Sequence, residues 1–311
     1  MNAETPPEDG EALPYADPYP GESRVRGGRR RRPRRRRGLI WAAVALTLLG
    51  GLGVGGYLLF DYSRPYLHGT DCSVAGSTKD TSLELDLEQA QNASTIAAVA
   101  YRKHLPEQAL IIAYATAIQE SKIRNLEGGD RDSIGLFQQR PSQGWGSAAK
   151  IHDPVYATNR FFDALVKVKH YQKLPVDEAA QKVQHSADGS AYAMHIDDAK
   201  VLTGAFTGHN AAAVHCWYSP DRQTPPRRAA LTPQLQNAFG PQPLTTGATM
   251  TSVPTGGDAH YGWSVASWAV AHAQAYGLRE IRYSGRHWTS DDGFSGWTQD
   301  KSAPADRVTY R

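Results

Sequence analysis

Apolar residues follow two patterns along this chain. From Leu39 to Phe60 they form a run of 22 residues without a charge. From Leu83 to about Gly204 they recur at three- and four-residue spacing, which predicts amphipathic helices. A first helix is expected near Asp86–His104, with Ile96, Val99 and Ala100 on one face. Pro106 and Glu107 suit the first turn of a second, which runs to about Ile123. Its apolar positions are Leu110, Ile111, Tyr114, Ala117 and Ile118. Asp153-Pro154 opens a third through Phe161, Phe162, Leu165 and Val168. Pro175 precedes a helix at Asp177–His185, and a last one covers about Ser190–Phe206. Residues 124–150, rich in Gly, Asp, Ser and Gln, read as an ordered loop.

Elsewhere the helical period fades. Residues 61–82 mix Gly, Ser, Thr, Asp and Pro and read as a stalk. Residues 207–259 read as a Pro/Thr-rich linker with one short helix near Pro233–Phe239. The tail, 260–311, predicts a helix at Trp263–Tyr276 and two strands, Glu280–Tyr283 and Val308–Tyr310. The expected fold class is therefore mainly α. It comprises one transmembrane helix, an α-helical domain over 83–206 and a small α/β domain at the C-terminus.

Charge changes this picture only when it is divided by segment. The net charge is +3. Residues 1–22 carry six acids and no base, residues 23–38 ten Arg and no acid, and residues 61–311 are nearly neutral. All basic character sits in one short run. A nucleic-acid-binding domain would spread Lys and Arg over a folded face, so no nucleic acid is expected as a partner. Residues 1–38 are expected to be a disordered cytoplasmic tail. As a helix, Leu39–Phe60 would span about 33 Å, enough for a bilayer core of about 30 Å. Trp41 and Tyr57 fall near its ends, where interfacial aromatics belong. A cleaved signal peptide would have a shorter apolar region and a small-residue cleavage site. The Arg run then stays in the cytoplasm against anionic lipid, and residues 61–311 are exported as part of a single-pass cell-membrane protein.

Two Cys exclude a disulfide-dense scaffold and a four-Cys zinc site. Cys72 and Cys216 both lie on the exported side, where thiols oxidise. A disulfide tying the stalk to the end of the helical domain is expected, with two free thiols as the alternative. The 11 His are scattered without a pair at metal-ligand spacing, so neither a metal nor a cofactor is expected.

The second helix ends in Gln119-Glu120-Ser121. Glu120 continues the stripe of Ala113, Thr116 and Ala117 and so leaves the exposed face. Partial desolvation there favours the protonated carboxyl, as a general acid requires. The plainer reading is a Glu at a fraying helix end, paired with Lys122 or Arg124.

The loop that follows reads Gly128-Gly129-Asp130-Arg131-Asp132-Ser133-Ile134-Gly135-Leu136-Phe137-Gln138. Gln119-Glu120-Ser121 followed by Gly135-Leu136-Phe137-Gln138 resembles the Glu-Ser and Gly-Leu-Met-Gln motifs of the lysozyme-like soluble lytic transglycosylases. Asp153-Pro154-Val155-Tyr156 resembles the stretch that comes next in that family. The resemblance covers roughly residues 83–206. It implies a lysozyme-like domain that cleaves the muramic acid–glucosamine β-1,4 bond of peptidoglycan glycan strands. Glu120 would protonate the glycosidic oxygen, then act as base while the substrate's own hydroxyl closes an anhydro ring. Ser121 would orient Glu120, Gly135 would let the backbone approach the sugar, and Gln138 would hydrogen-bond it. Ser133, in the same loop, belongs with the substrate-binding residues. Phe137 stands where the family has Met, as an apolar floor. Trp145, in a Gly-Trp-Gly loop, suits either stacking on a sugar ring or the core.

The sequence departs from the family again at its third motif. The family's third motif, Ala-Tyr-Asn, supplies a Tyr that touches the catalytic Glu. The helix beginning at Asp177 brings Gln184 to that place, as a donor to Glu120. Asp130 and Asp132 are candidates for the second carboxylate of a hydrolytic mechanism, or are plain turn residues. The tail resembles the end of a carboxypeptidase-like domain that closes with Asp-His-Val-His. Here Asp306-Arg307-Val308-Thr309 lacks both His, which implies a non-catalytic tail. A glycan-cleaving enzyme is the leading expectation. A non-catalytic peptidoglycan-binding or envelope-assembly protein on the same fold is the alternative.

Overall fold

Asp86 starts the helical part of the chain through its own side chain, which accepts a hydrogen bond from Gln89 N at 2.9 Å. The Gln89 side chain accepts from Asp86 N at 2.9 Å, so the two close a capping box. Helix α1 (Leu87–Arg102) follows, with Glu88 in its first turn and Arg102 in its last, matching the helix dipole. It is buried along most of its length from Ala90 to Ala100, as a central helix must be. These observations come from a computed structural model that describes residues 55–56, 69–78, 81–186 and 189–311.

Around α1 lie α2 (Glu107–Ser121), the single turn α3 (Ala148–Ile151), α4 (Pro154–Leu165), α5 (Val176–Gln184), the single turn α6 (Ser190–Ala193) and α7 (Ile196–Phe206). Helix α2 packs on α5 and α7, and α4 packs on α1. The α4 N-cap is Asp153, whose carboxylate accepts from Val155 N at 2.9 Å ahead of Pro154 in the first turn. Phe161 and Phe162 of α4 are fully buried, which stabilises the fold by roughly 1.5–3 kcal/mol each.

The strands form two antiparallel sheets. In the first, β1 (Asp71–Ala75) lies between β2 (Ser82–Leu85) and β3 (Val214–Trp217). Cys72 sits opposite Cys216 in this sheet, and the two form a disulfide, as the sequence led us to expect. The second sheet has the order β4-β5-β9-β6-β7-β8. Its strands are β4 (Thr245–Thr246), β5 (Thr251–Pro254), β6 (Glu280–Tyr283), β7 (Arg286–Thr289), β8 (Thr298–Gln299) and β9 (Arg307–Tyr310). Helix α8 (Arg228–Phe239) packs on α1 and buries Leu231, Leu235 and Phe239. Helix α9 (Ala259–Tyr276) packs on α1 and also on β3, β6 and β9, so one helix is shared by the helical part and both sheets. The described residues from Gly69 to Arg311 accordingly form one compact unit.

The expectation of a mainly α protein with a transmembrane helix is corrected. The described chain is a mixed α and β fold with sheets of three and six strands. The expectation gave the strands at Glu280–Tyr283 and Val308–Tyr310 but missed the others, because every strand has only two to five residues and several lie in Pro-, Thr- and Gly-rich stretches. In such stretches pairing partners distant in sequence, not local periodicity, decide the structure. No helix among the described residues is long and apolar enough to cross a membrane. The Arg run and the stretch Leu39–Phe60, apart from Gly55 and Gly56, lie outside the described residues.

Candidate active site around Glu120

Helix α2 ends abruptly after Ser121, one residue beyond Glu120. Lys122 at the C-cap takes φ 55° and Ile123 takes φ 61°, and their N–H groups return to Ile118 O and Ala117 O. A β-branched residue rarely adopts this left-handed conformation, so Ile123 is strained. The turn is held from α1: Gln89 Nε2 donates to Lys122 O at 2.9 Å and Asn92 Nδ2 to Ile123 O at 2.8 Å. The strain therefore lies next to the residue singled out for chemistry, where over-determined backbone is commonly found.

Glu120 is half-buried, and the Tyr192 hydroxyl donates to its Oε1 at 2.7 Å. Tyr192 belongs to the single turn α6 and is itself buried. Burial, and next the hydrogen bond to Glu120, push the Tyr192 phenol well above its ordinary range. It therefore stays a neutral donor and fixes one carboxyl oxygen of Glu120. Neither Lys122 nor Arg124 pairs with Glu120; Arg124 goes to Asp86 and Glu88.

The Gly135–Gln138 turn is closed by paired backbone bonds of 3.0 Å between Ile134 and Gln139. Gly135 has φ 76°, and a Cβ there would meet Ile151 O at 2.9 Å, so the position requires glycine. The turn is fastened on two sides. Ser121 Oγ donates to Leu136 O at 2.7 Å, and Gln184 Nε2 donates to Phe137 O at 2.8 Å. These bonds place Ser121 and Gln184 as holders of the turn, in contrast to the expected contacts with Glu120. Phe137 is fully buried and stacks on Phe161 with ring centroids 4.5 Å apart, so it belongs to the core and offers no floor to a ligand. Gln138, with φ 47°, turns its side chain back to Gly135 O at 3.1 Å. Ser133 is buried, with its N–H bonded to Asp130 O at 3.1 Å.

The two candidate second carboxylates are placed differently. Asp132 Oδ1 accepts from Arg140 Nε at 2.7 Å and Ser142 Oγ at 2.9 Å, while Oδ2 accepts from Ser142 N at 2.8 Å. These bonds, the backbone one foremost, hold its carboxyl well below the usual range. Asp130 projects into solvent, 90% exposed, with Arg131 at 3.9 Å. Trp145 is half-buried between glycines with φ 80° and 134°, and its carbonyl accepts from the Tyr156 hydroxyl at 3.1 Å.

Sequence reading missed Tyr192. It lies in the four-residue turn α6, too short to show a helical period. The arrangement supplies one oriented carboxyl, a neutral phenol donor and a rigid turn anchored beside them. Comparison with known protein families and with characterised proteins finds no match to this chain.

Proposed function

We propose that the protein cleaves the glycan strands of peptidoglycan, with Glu120 as the general acid and base. The hydrogen bond from Tyr192 to Glu120 at 2.7 Å carries this reading, because it orients a half-buried carboxyl at a strained helix end. Glu120 gives its proton to the glycosidic oxygen as the bond to the sugar C1 breaks. The resulting carboxylate then takes the proton of the substrate's own hydroxyl as that oxygen bonds to C1, closing an anhydro ring. Both carboxylate oxygens of Asp132 are engaged within its loop, which favours this one-carboxylate route over activation of a water by a second acid.

The reading makes the chain an enzyme of the soluble lytic transglycosylase type. Its working place would be outside the cytoplasm, at the outer face of the membrane. The Cys72–Cys216 disulfide supports an oxidising compartment. The test is digestion of intact peptidoglycan sacculi by the full chain, with mass spectrometry of the products. Anhydro-muropeptides are expected. Reducing muropeptides would replace the anhydro route by hydrolysis, and sacculus binding without products would leave a wall-binding protein.

A further inference from the structure

Beside the bond from Tyr192 to Glu120 runs a second one between the same parts of the chain. His195 Nε2 lies 2.9 Å from Gln119 Oε1. A carbonyl oxygen only accepts, so the imidazole donates. On α2 the two acceptors, Gln119 and Glu120, are consecutive residues. The two donors, Tyr192 and His195, stand three residues apart. The His195 N–H returns to Tyr192 O at 3.2 Å, a tight turn in which residues three apart eclipse one another. Both side chains therefore leave one side of the turn, toward α2.

His195 is also a joint of the backbone. Its N–H closes the end of α6, and its carbonyl accepts from Ala199 N at 2.9 Å, the first bond of α7. The side chain adds α2 as a third element. Helix α6 needs such a brace. It has four residues, and a single turn does not hold itself, because nucleation fixes several residues for one hydrogen bond. The Tyr192 hydroxyl alone makes a pivot, about which the turn can rotate. A bond one residue away on α2 removes that rotation. Gln119 is exposed and His195 half-buried, so the bond adds little to global stability. Its effect is on the aim of Tyr192.

We propose that His195 is a positioning residue, which through Gln119 holds α6 against α2 and keeps the Tyr192 hydroxyl on Glu120. This rests on the glycan-cleavage reading and deepens it. The ring donates through Nε2 both as the neutral tautomer protonated there and as imidazolium, so the brace survives protonation. His195 exchanges no proton with the substrate.

The test is a double-mutant cycle of His195→Ala and Tyr192→Phe in the full chain, read as muropeptide release from sacculi over a range of sacculus concentrations. His195→Ala is expected to lower kcat about threefold with KM unchanged, a smaller loss than in Tyr192→Phe. The double variant is expected to be no slower than Tyr192→Phe, since no hydroxyl is left to aim. His195→Gln, whose amide nitrogen reaches as far as the ring's Nε2, restores the rate with the wild-type pH profile. The shorter His195→Asn does not. Losses that multiply, a change confined to KM, or failure of His195→Gln to rescue overturns the proposal. A limb of the pH profile that vanishes with the imidazole also overturns it, by making His195 a reacting group. Urea denaturation of the same four proteins gives a readout free of turnover. There the two substitutions are expected to be coupled about threefold in the unfolding equilibrium constant. Coupling in a chain that releases nothing from sacculi keeps the brace on Tyr192 and removes the cleavage reading. Cleavage with independent losses does the reverse.

Discussion

Glu120 and Asp132 flank the same bend of the chain but find their partners at different distances along it. Glu120 is met by the hydroxyl of Tyr192, which arrives from a separate helical turn. Asp132 is bonded by Arg140 and Ser142 within its own loop. A carboxylate saturated by local donors serves as a fastener, since every oxygen is already committed. A carboxyl oriented by one distant hydroxyl is positioned without being used up. The difference separates the residue suited to chemistry from the one that builds the loop.

The hardest test of that contrast is Glu120→Gln. It is expected to lower the rate of glycan cleavage by about 10²–10⁴-fold, the usual worth of a general acid, with an unchanged melting temperature. Asp132→Asn is expected to do the opposite, lowering the melting temperature and affecting cleavage only through the loop. An Asp132 variant that is fully stable yet inactive would make it the second carboxylate. Tyr192→Phe comes next. It removes one hydrogen bond, so cleavage should fall about tenfold in kcat with little change in KM, and stability by about 1 kcal/mol. A change confined to KM would move Tyr192 from positioning to substrate binding.

The pH dependence of stability gives a finer comparison. The folded state holds the Asp132 carboxyl below its ordinary value of 3.8. The unfolded chain thus takes up that proton first on acidification. The stabilisation is complete above 3.8 and is lost as pH falls through the lower folded value. Urea denaturation at pH 7 and pH 3 should show this loss in the wild type, and a smaller one in Asp132→Asn. The smallest effect is expected for Asp130→Asn, within about 0.5 kcal/mol in stability and without change in rate, because the side chain stands in solvent. A large loss of activity there would restore Asp130 as a reacting group.

Much of the helical part was legible because its signals are local. Asp86 with Gln89, Pro106 with Glu107 and Asp153 with Pro154 each mark a helix start through groups next to one another in sequence. Glu120 was legible through the short-range motif around it. Tyr192 was not, because α6 is a single turn and Gln184 offered a competing donor in the same neighbourhood. That donor does reach the Gly135–Gln138 turn, but at Phe137 O. Helix α8 was read too short since Pro233 looks like a helix start. It sits inside the helix, and burial of Leu231 and Leu235 sustains the turn before it. The sheets were the least legible. Their strands pair across long separations, as Val74 does with Val214 and Val253 with Val308.

The β1–β3 ladder joins residues 71–74 to 214–217, and the Cys72–Cys216 bond lies within it. The chain therefore enters and leaves the helical part at nearly one point. Tension applied between Gly69 and Tyr218 passes through a covalent bond and a short strand pair and leaves the intervening helices slack. In mechanical terms Glu120, Tyr192 and the Gly135–Gln138 turn hang on a side loop of the load path. A pull on the N-terminal side, balanced by a grip on the six-stranded sheet, would strain that clasp and spare the site.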